Sequence, residues 1–271
     1  MFSPYYFAAR RKGRARAEEH CAINVCLYGQ GPRRWAMTER GAARLSRGPD
    51  HFTLGPSRMR WSDGALTIDI DETAAPLPRR VRGQVRLRPL CQPDRAFALD
   101  AAGRHLWRPI APTASVEVEL DAPALRWRGT GYFDANRGDR PLEEDFASWH
   151  WSRSADESGA RILYDGVRRD GTPFSLALDI GADGAVSPFA APPAVRLPGT
   201  FWRIDRRTRC DAGTAPQVLA CLEDTPFYAR SLIRSAVDGR TSTAFHESLS
   251  LDRFRHWIVQ GMLPFRMPRR P

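Results

Sequence analysis

The stretch Leu66-Thr67-Ile68-Asp69-Ile70-Asp71 alternates apolar and polar side chains from one residue to the next. Successive side chains of a strand point to opposite faces, so a period of two predicts a strand with one face in a core and one in water. The same alternation recurs over 81–88 and over 116–120. We therefore expect an all-β protein built from half-buried strands.

Turn residues support this interpretation. Asp63-Gly64, Asp170-Gly171 and Asp183-Gly184 each lie between strand-like runs. Asp-Gly pairs supply the positive φ angles that tight hairpins need. Many short strands joined in this way favour a barrel or a sandwich.

Helix signals occur at two places near the C-terminal end. Thr225 followed by Pro226 predicts a helix that continues to Gly239, and Ser250 predicts a second one that stops at Gly261. Both are short, so we expect helices only in this part of the chain.

A weak internal repeat predicts two domains. The segment 148–153, the run 162–164 and the hairpin at Asp170-Gly171 resemble the opening strands of a second unit, after a polar loop at 138–144. We place the domains at 1–145 and 146–271. One continuous sandwich is the alternative.

The composition is that of a soluble globular protein, with 42% hydrophobic and 27% charged residues. No apolar run reaches the roughly 18–20 residues of a membrane-spanning helix, and the N-terminus has apolar residues before basic ones, the reverse of a secretory signal. We expect a cytoplasmic protein. The cysteines lack Cys-x-x-Cys spacing, so we predict buried thiols rather than disulfides or a zinc site; they are Cys21, Cys26, Cys91, Cys210 and Cys221.

A net charge of +10 raises the question of nucleic-acid binding, because basic side chains neutralise phosphates. The arginines are spread along the chain rather than gathered in a block, and Lys12 is the sole lysine. We expect no nucleic-acid partner. A basic surface is also attracted to anionic lipid headgroups.

Polar and aromatic residues cluster in the middle of the chain, whereas nucleotide-binding, phosphate-loop, zinc-protease and serine-hydrolase motifs are missing. His105 with Trp107, and Tyr132 with Asp134, form two same-face pairs if their segments are strands. We expect the 116–120 strand to lie between them in sequence and to bring them onto nearby strands of one barrel. An acid, an imidazole and two aromatic rings in one apolar cavity suit acid-initiated chemistry on an alkene.

Structural explanations compete with this one. Trp107 and Tyr132 are equally consistent with core aromatics, and His105 with a hydrogen-bonded interior histidine. Asp134 with Asn136 is also typical of a turn.

The cluster resembles the signature of the carotenoid 1,2-hydratases, also called hydroxyneurosporene synthases, of photosynthetic bacteria. The matching motifs are the stretches 105–112, which begins His105-Leu106-Trp107, and 127–138, which contains Tyr132-Phe133-Asp134. Further similar stretches lie at 2–6, 141–143, 149–153, 222–231, 246–250 and 262–269.

The resemblance implies two tandem lipocalin-like (calycin) β-barrels with short C-terminal helices. It implies a hydro-lyase without cofactor or metal that adds water across the terminal C1–C2 double bond of acyclic carotenes such as neurosporene and lycopene. The catalytic residues that it implies are His105, Trp107, Tyr132 and Asp134. Family members carry residues before the segment that corresponds to 2–6, so we expect either a misassigned start or a first barrel that lacks its first strand.

The chemistry suggests a role for each residue. Asp134 is expected to be the acid, because an apolar lumen raises the pKa of a carboxyl. The π faces of Trp107 and Tyr132 are expected to stabilise the tertiary cation. His105 is expected either to hydrogen-bond Asp134 or to accept a proton from water.

Carotenes dissolve in membranes, so we also expect peripheral contact with the inner or photosynthetic membrane. Apolar residues of 254–267 lie among arginines and fit an interfacial surface, or a helix packed on the second barrel. The alternative function is a non-catalytic lipocalin-type carrier of carotenoid or another apolar ligand. The sequence predicts no oligomeric state.

Overall fold

A computed structural model describes residues 2–270, which form mostly strands with a few short helices. The helices are α1 (Pro4–Arg11), α2 (Leu142–Asp145), α3 (Leu251–Arg255) and α4 (Trp257–Met262), with 3₁₀ turns at Ala17–His20, Ala42–Arg44 and Leu263–Phe265. The strands are β1 (Cys21–Leu27), β2 (Arg34–Arg40), β3 (Leu45–Arg47), β4 (His51–Leu54), β5 (Ser57–Ser62), β6 (Ala65–Thr73), β7 (Arg80–Pro89), β8 (Phe97–Ala98), β9 (His105–Ala122), β10 (Ala124–Gly138), β11 (Phe146–Asp156), β12 (Gly159–Arg168), β13 (Pro173–Gly181), β14 (Val186–Pro188), β15 (Ala194–Arg196), β16 (Arg207–Arg209), β17 (Gln217–Asp224), β18 (Tyr228–Val237), β19 (Arg240–Ser250) and β20 (Arg269–Arg270).

The three strands expected from alternation are confirmed: they lie within β6, β7 and β9. The Asp-Gly hairpins are confirmed as well, since each pair joins two antiparallel neighbours of one sheet. Asp63 and Gly64 adopt φ angles of 52° and 67°, the left-handed values that such a turn requires.

Two helix predictions are corrected by the structure. A helix at α1 was not expected; the Ser3 side chain caps it by accepting a 2.9 Å hydrogen bond from the Tyr6 amide, with Pro4 at its first position. The segment predicted as a helix from Thr225 forms strand β18 instead. Thr225 closes a turn with Tyr228, and the following residues alternate in burial and pair with β17 and β19. Pairing on both edges outweighs the local capping signal.

The predicted helical segment from Ser250 is confirmed, but it is broken into α3 and α4 at His256, which has extended backbone angles. Leu251 and Phe254 are buried, whereas Trp257 and Ile258 are exposed. In residues 2–270 no helix has the length and apolar character to cross a membrane. The cysteines are free thiols, of which only Cys91 and Cys210 are buried, so the prediction of buried thiols was wrong for the other three.

The chain divides into two compact units that interleave along the sequence, whereas the predicted boundary was a single cut near residue 145. Unit 1 comprises Met1–Pro89, Ala114–Gly131 and Gln260–Pro271; unit 2 comprises Leu90–Thr113 and Tyr132–Val259. The long strands β9 and β10 are each divided between the two units.

Unit 1 contains a three-stranded sheet, β1-β2-β20, and strands of a larger sheet ordered β10-β9-β7-β6-β5-β4-β3. β9 and β10 belong to unit 1 only over residues 114–122 and 124–131. Apolar side chains of β6, β7 and β9 fill its core, as their alternation predicts. Buried charges are paired: Arg40 donates two hydrogen bonds, of 3.0 and 2.8 Å, to the carboxylate of Glu72.

Unit 2 is built on the sheet β14-β13-β12-β11-β19-β18-β17. Its strand register assigns two faces. The aromatic face carries Trp149, Trp151, Tyr164, Arg230 and Glu247, and the histidine face carries His150, Ser152, Asp165, His246 and Ser248.

The two large sheets are not closed into barrels: in the part of the chain that the structure describes, their end strands do not pair with each other. The connection between β14 and β17 gives the physical reason in unit 2. It forms a separate β15–β16 hairpin that packs on the histidine face, where Arg209 pairs with Asp165 at 2.8 Å and His246 Nε2 contacts the Arg207 carbonyl at 2.8 Å. That segment therefore covers the sheet instead of extending its edge.

Candidate active site

Two neighbouring strands position the four predicted residues, all in unit 2. His105 and Trp107 lie at the start of β9, and Tyr132 and Asp134 lie near the end of β10. The 116–120 segment belongs to the same strand as His105, so it is not the separate intervening strand that we expected.

Asp134 lies at the centre of this group. Its Oδ2 accepts a 2.7 Å hydrogen bond from Trp107 Nε1 and a 2.9 Å hydrogen bond from the Tyr132 hydroxyl. Both donors are neutral, and both bonds reach the same oxygen. Three of the four predicted residues thus meet at one carboxyl group.

Electrostatics favour the protonated acid. Burial raises the pKa of Asp134, and the negative charge of Glu247 raises it further, while the hydrogen bonds from Trp107 and Tyr132 act in the opposite direction. Burial and the adjacent Asp134 also raise the pKa of Tyr132 well above its usual value. Tyr132 therefore stays a neutral donor.

The surroundings of Asp134 are aromatic. The Trp107 side chain is fully buried, with its ring 5.5 Å from Phe97 and 5.6 Å, edge to face, from Tyr164. The Tyr132 ring lies 5.1 Å from Trp151. These contacts fix both donors, because neither ring can rotate without displacing its neighbour.

His105 is separate from this group in its hydrogen bonding. Its Nε2 contacts Asp145 Oδ2 at 2.7 Å, and its buried Nδ1 has no hydrogen-bond partner and lies against Gly138. The expected hydrogen bond to Asp134 is not formed. Asp145 was missed from the sequence, because it lies in a short helix 40 residues further along the chain.

The aromatic face supplies other residues that the sequence did not reveal. Tyr164, Trp149 and Trp151 form ring contacts around the site, and Glu247 forms an ion pair with Arg230. The available signal was the alternation in 149–153, whose aromatic positions are two residues apart. In residues 2–270 no group of three His, Cys, Asp or Glu side chains is arranged to hold a metal ion.

Comparison with known proteins decides the family. The family model for the carotenoid hydratase CrtC matches residues 1–271. The chain belongs to the carotenoid hydratase family. The resemblance predicted from the motifs is thereby confirmed, and family membership makes the chain a hydratase of bacterial carotenoid biosynthesis.

Individual relatives agree. The chain is 54% identical to an acyclic carotenoid 1,2-hydratase of Thiocapsa roseopersicina over 99% of its length, covering 67% of that hydratase. It is 42% identical to an acyclic carotenoid 1,2-hydratase of Cereibacter sphaeroides, covering 96% of it. The lipocalin-like crystal structure of a protein provisionally called AttH, from Nitrosomonas europaea, aligns with a TM-score of 0.54 at 13% identity, covering 81% of this chain and 77% of that one, a similarity of fold alone.

Proposed function

We propose that this carotenoid hydratase adds water across the terminal C1–C2 double bond of an acyclic carotene such as neurosporene or lycopene, with Asp134 as the acid and without a cofactor. One observation carries the proposal: a carboxyl group in an aromatic environment accepts hydrogen bonds from two neutral donors at one oxygen. Burial favours its protonated form, and a buried acid is costly in a protein that only carries an apolar ligand.

The hydrogen bonds assign the acidic proton to one atom. Because Oδ2 already accepts two hydrogen bonds, the proton of Asp134 resides on Oδ1. Transfer of that proton to C2 leaves a tertiary cation at C1 and an Asp134 carboxylate. Water then attacks C1, and loss of one proton from its oxygen gives the tertiary alcohol.

Trp107 and Tyr132 act chiefly as donors that orient the acid. The Arg153 guanidinium already lies 5.3 Å above the Tyr132 ring, so that face does not suit a second cation. Trp107 is enclosed by Phe97 and Tyr164. We assign stabilisation of the C1 cation to the exposed π surface of the aromatic face, where Trp149 is only partly buried.

His105 is a positioning residue in this proposal. Its 2.7 Å contact with Asp145 orients the imidazole at the start of β9, two residues before Trp107. The pair therefore holds the strand from which the Trp107 donor projects.

A carotene in a bilayer requires the enzyme to approach the membrane, and unit 2 carries a surface suited to that contact. Phe201 and Trp257 are 85% and 75% exposed, and Ile258 is exposed beside Trp257. The segment that carries Phe201 is hydrogen-bonded to α3, the helix that precedes Trp257, because Arg253 donates to the carbonyls of Trp202 and Arg203. We call Phe201, Trp257 and Ile258 the docking patch; exposed Arg203 and Arg255 border it with positive charge, which suits anionic headgroups.

Vesicle flotation tests the docking patch. The double variant Phe201→Ser/Trp257→Ser should bind phosphatidylglycerol vesicles at least about 10-fold less than the unmodified chain, since each aromatic side chain contributes about 1.5–3 kcal/mol when buried. Leu219→Ser, at a partly exposed apolar residue of β17, is the matched control and should bind normally. Equal binding by the double variant would refute the patch.

Product mass tests the function itself. The protein incubated with lycopene or neurosporene in detergent should yield products heavier by one water, and Asp134→Asn should lower the rate by about 10²–10⁴-fold. Carotene that is bound but recovered unchanged would identify a carrier instead. Near-normal turnover by a folded Asp134→Asn variant would remove Asp134 from the mechanism.

A further inference from the structure

Glu247 lies on the aromatic face directly opposite Trp151, across the β11–β19 pair. Directly opposed side chains in antiparallel strands have Cβ atoms about 4.5–5.5 Å apart. The Trp151 ring contacts Tyr132, which in turn donates to Asp134. These contacts place Glu247 and Asp134 on either side of the Trp151–Tyr132 ring pair, and the charge of Glu247 raises the pKa of Asp134.

The two carboxyl groups differ in that only Glu247 is paired with a guanidinium, although the Tyr228 hydroxyl also hydrogen-bonds Glu247. Asp134 is held by two neutral donors, whereas Glu247 accepts hydrogen bonds of 2.8 and 3.1 Å from Arg230 Nη2 and Nε. A guanidinium at this distance stabilises the ionised carboxylate. Two carboxyl groups in such different environments are the arrangement that separates an acid from a base.

A buried donor lies beside Glu247. Trp151 is 8% exposed, and its Nε1 has no hydrogen-bond partner within the protein. A buried indole N–H normally finds an acceptor, because an unmade hydrogen bond costs about 1–3 kcal/mol. The acceptor that fits a hydratase is the water that it consumes.

We propose that Glu247 is the general base of the hydration, and that the attacking water is held between its carboxylate and Trp151 Nε1. This inference rests on the proposed function. Asp134 donates its proton to C2, the water oxygen bonds to C1, and Glu247 takes one proton from that oxygen. Solvent then removes this proton from Glu247 and returns one to Asp134, so that one water is consumed per turnover.

Glu247 is basic enough for this step despite its ion pair. The oxygen that has just bonded to C1 carries a positive charge, and an oxonium is a far stronger acid than a carboxylic acid. A carboxylate paired with Arg230 therefore still accepts the proton.

The test compares Glu247→Gln with Asp165→Asn. Asp165 is the matched control, because it forms an ion pair with Arg209 at the same 2.8 Å distance but lies on the histidine face. We expect Glu247→Gln to lower kcat for lycopene hydration by about 100-fold with little change in KM, and Asp165→Asn to retain kcat. Similar kcat values for both variants would overturn the proposal.

Rescue by a second carboxylate distinguishes a base from a structural ion pair. Glu247→Asp keeps a carboxylate on a shorter side chain, whereas Glu247→Gln keeps the length and loses the carboxylate. We expect kcat of Glu247→Asp to exceed that of Glu247→Gln by at least about 10-fold, and equal kcat values for the two variants would overturn the proposal. If Glu247→Gln does not fold, Glu247→Asp provides the test: it should hydrate lycopene at a lower kcat, and no hydration by the folded variant would overturn the role.

Failure of this inference differs from failure of the proposed function. A normally active Glu247→Gln alongside an inactive Asp134→Asn would leave the hydratase mechanism standing without Glu247. No hydration by the unmodified chain would refute the proposed function instead.

Discussion

The indole Nε1 of Trp107 lies 2.7 Å from Oδ2 of Asp134, and this hydrogen bond joins the two motifs of the site across neighbouring strands. The Tyr132 hydroxyl reaches the same oxygen from two residues away on the strand of Asp134. The Trp107 donor reaches Asp134 because β9 pairs with β10. The Tyr132 donor reaches it because residues two apart on β10 share a face. In the proposed mechanism the remaining oxygen, Oδ1, carries the acidic proton.

Tyr132→Phe removes one of these donors while it keeps the ring. The Tyr132 hydrogen bond lowers the pKa of Asp134 by stabilising the carboxylate, so its loss should raise that pKa further. We expect the basic limb of the kcat profile to move to higher pH and kcat to fall about 10-fold, as one lost hydrogen bond of about 1.4 kcal/mol implies.

The control for this variant is Tyr164→Phe, which keeps the edge-to-face contact with Trp107 and removes a hydroxyl that does not bond Asp134. Its basic limb should stay in place. If the basic limb of the kcat profile of Tyr132→Phe did not move, or moved to lower pH, the hydrogen-bond assignment would be contradicted.

Asp134→Asn should stabilise the fold near neutral pH. Burial raises the pKa of Asp134 above its unfolded value of about 3.9, so the ionised form is disfavoured in the native state. The resulting loss of stability begins as pH rises above the unfolded value, grows up to the raised native pKa and is constant beyond it. The isosteric amide avoids this loss and can still accept both hydrogen bonds.

Thermal unfolding measures this effect. The Tm of Asp134→Asn should exceed that of the unmodified chain by a few degrees near pH 8, and the difference should shrink toward pH 4. Asp94→Asn, at a side chain that is 98% exposed, should match the unmodified chain throughout. A Tm for Asp134→Asn that is lower near pH 8 would show that the carboxylate stabilises the fold.

Periodicity predicted much of the fold because burial of one sheet face imposes it directly on the sequence. It succeeded for β6, where Leu66, Ile68 and Ile70 alternate with polar residues, and for the Asp-Gly turns. It failed at Thr225, where a helix-capping pair precedes a strand, because cross-strand pairing with β17 and β19 depends on residues distant in the chain. Sheet closure and the interleaving of the two units depend on such long-range contacts as well.

The site could be predicted in part for the same reason. Residues two apart on a strand share a face, so the pairs in β9 and β10 were visible in the sequence. Asp145, Trp151 and Glu247 come from three further elements, and no local spacing connects them to Asp134. The sequence also does not predict the direction in which each polar atom points. In the structure the N–H of Trp107 and the O–H of Tyr132 point to Asp134.

The pairing of His105 with Asp145 predicts an energetic coupling between them. His105→Gln and Asp145→Asn should each destabilise the fold by about 1–3 kcal/mol, because each replaces the 2.7 Å contact between a buried imidazole and a carboxylate. Urea unfolding of both single variants and the double variant should give a coupling energy of about 0.5–3 kcal/mol.

Asp94→Asn serves as the control for the coupling, since the Asp94 side chain is 98% exposed and pairs with the exposed Arg108. Combined with His105→Gln, it should give additive effects. If the losses of unfolding free energy in His105→Gln and Asp145→Asn were also additive, the contact between the two side chains would contribute nothing to stability. A loss of activity in His105→Gln that exceeds the loss in Asp145→Asn by about 100-fold would instead assign His105 a direct chemical role.

The histidine face predicts acid sensitivity. Burial lowers the pKa of His150 to about 4 and that of His246 to about 3. Both are therefore neutral in the folded state at pH values where an unfolded histidine, with a pKa of about 6.5, already binds a proton. Stability should thus be complete above about pH 6.5 and should fall as pH drops through about 6.5 toward 4, by up to about 1.4 kcal/mol per histidine and pH unit.

Urea unfolding at about pH 7, 6 and 5 measures this slope. In His246→Gln the fall in unfolding free energy over that range should be smaller than in the unmodified chain, because one of the two histidines with a lowered pKa is gone. The variant should also be less stable near pH 7, since it loses the contact of Nε2 with the Arg207 carbonyl. His256→Gln, at an exposed histidine, is the control variant. An unchanged slope in His246→Gln would mean that His246 is not held neutral by the β15–β16 hairpin that covers it.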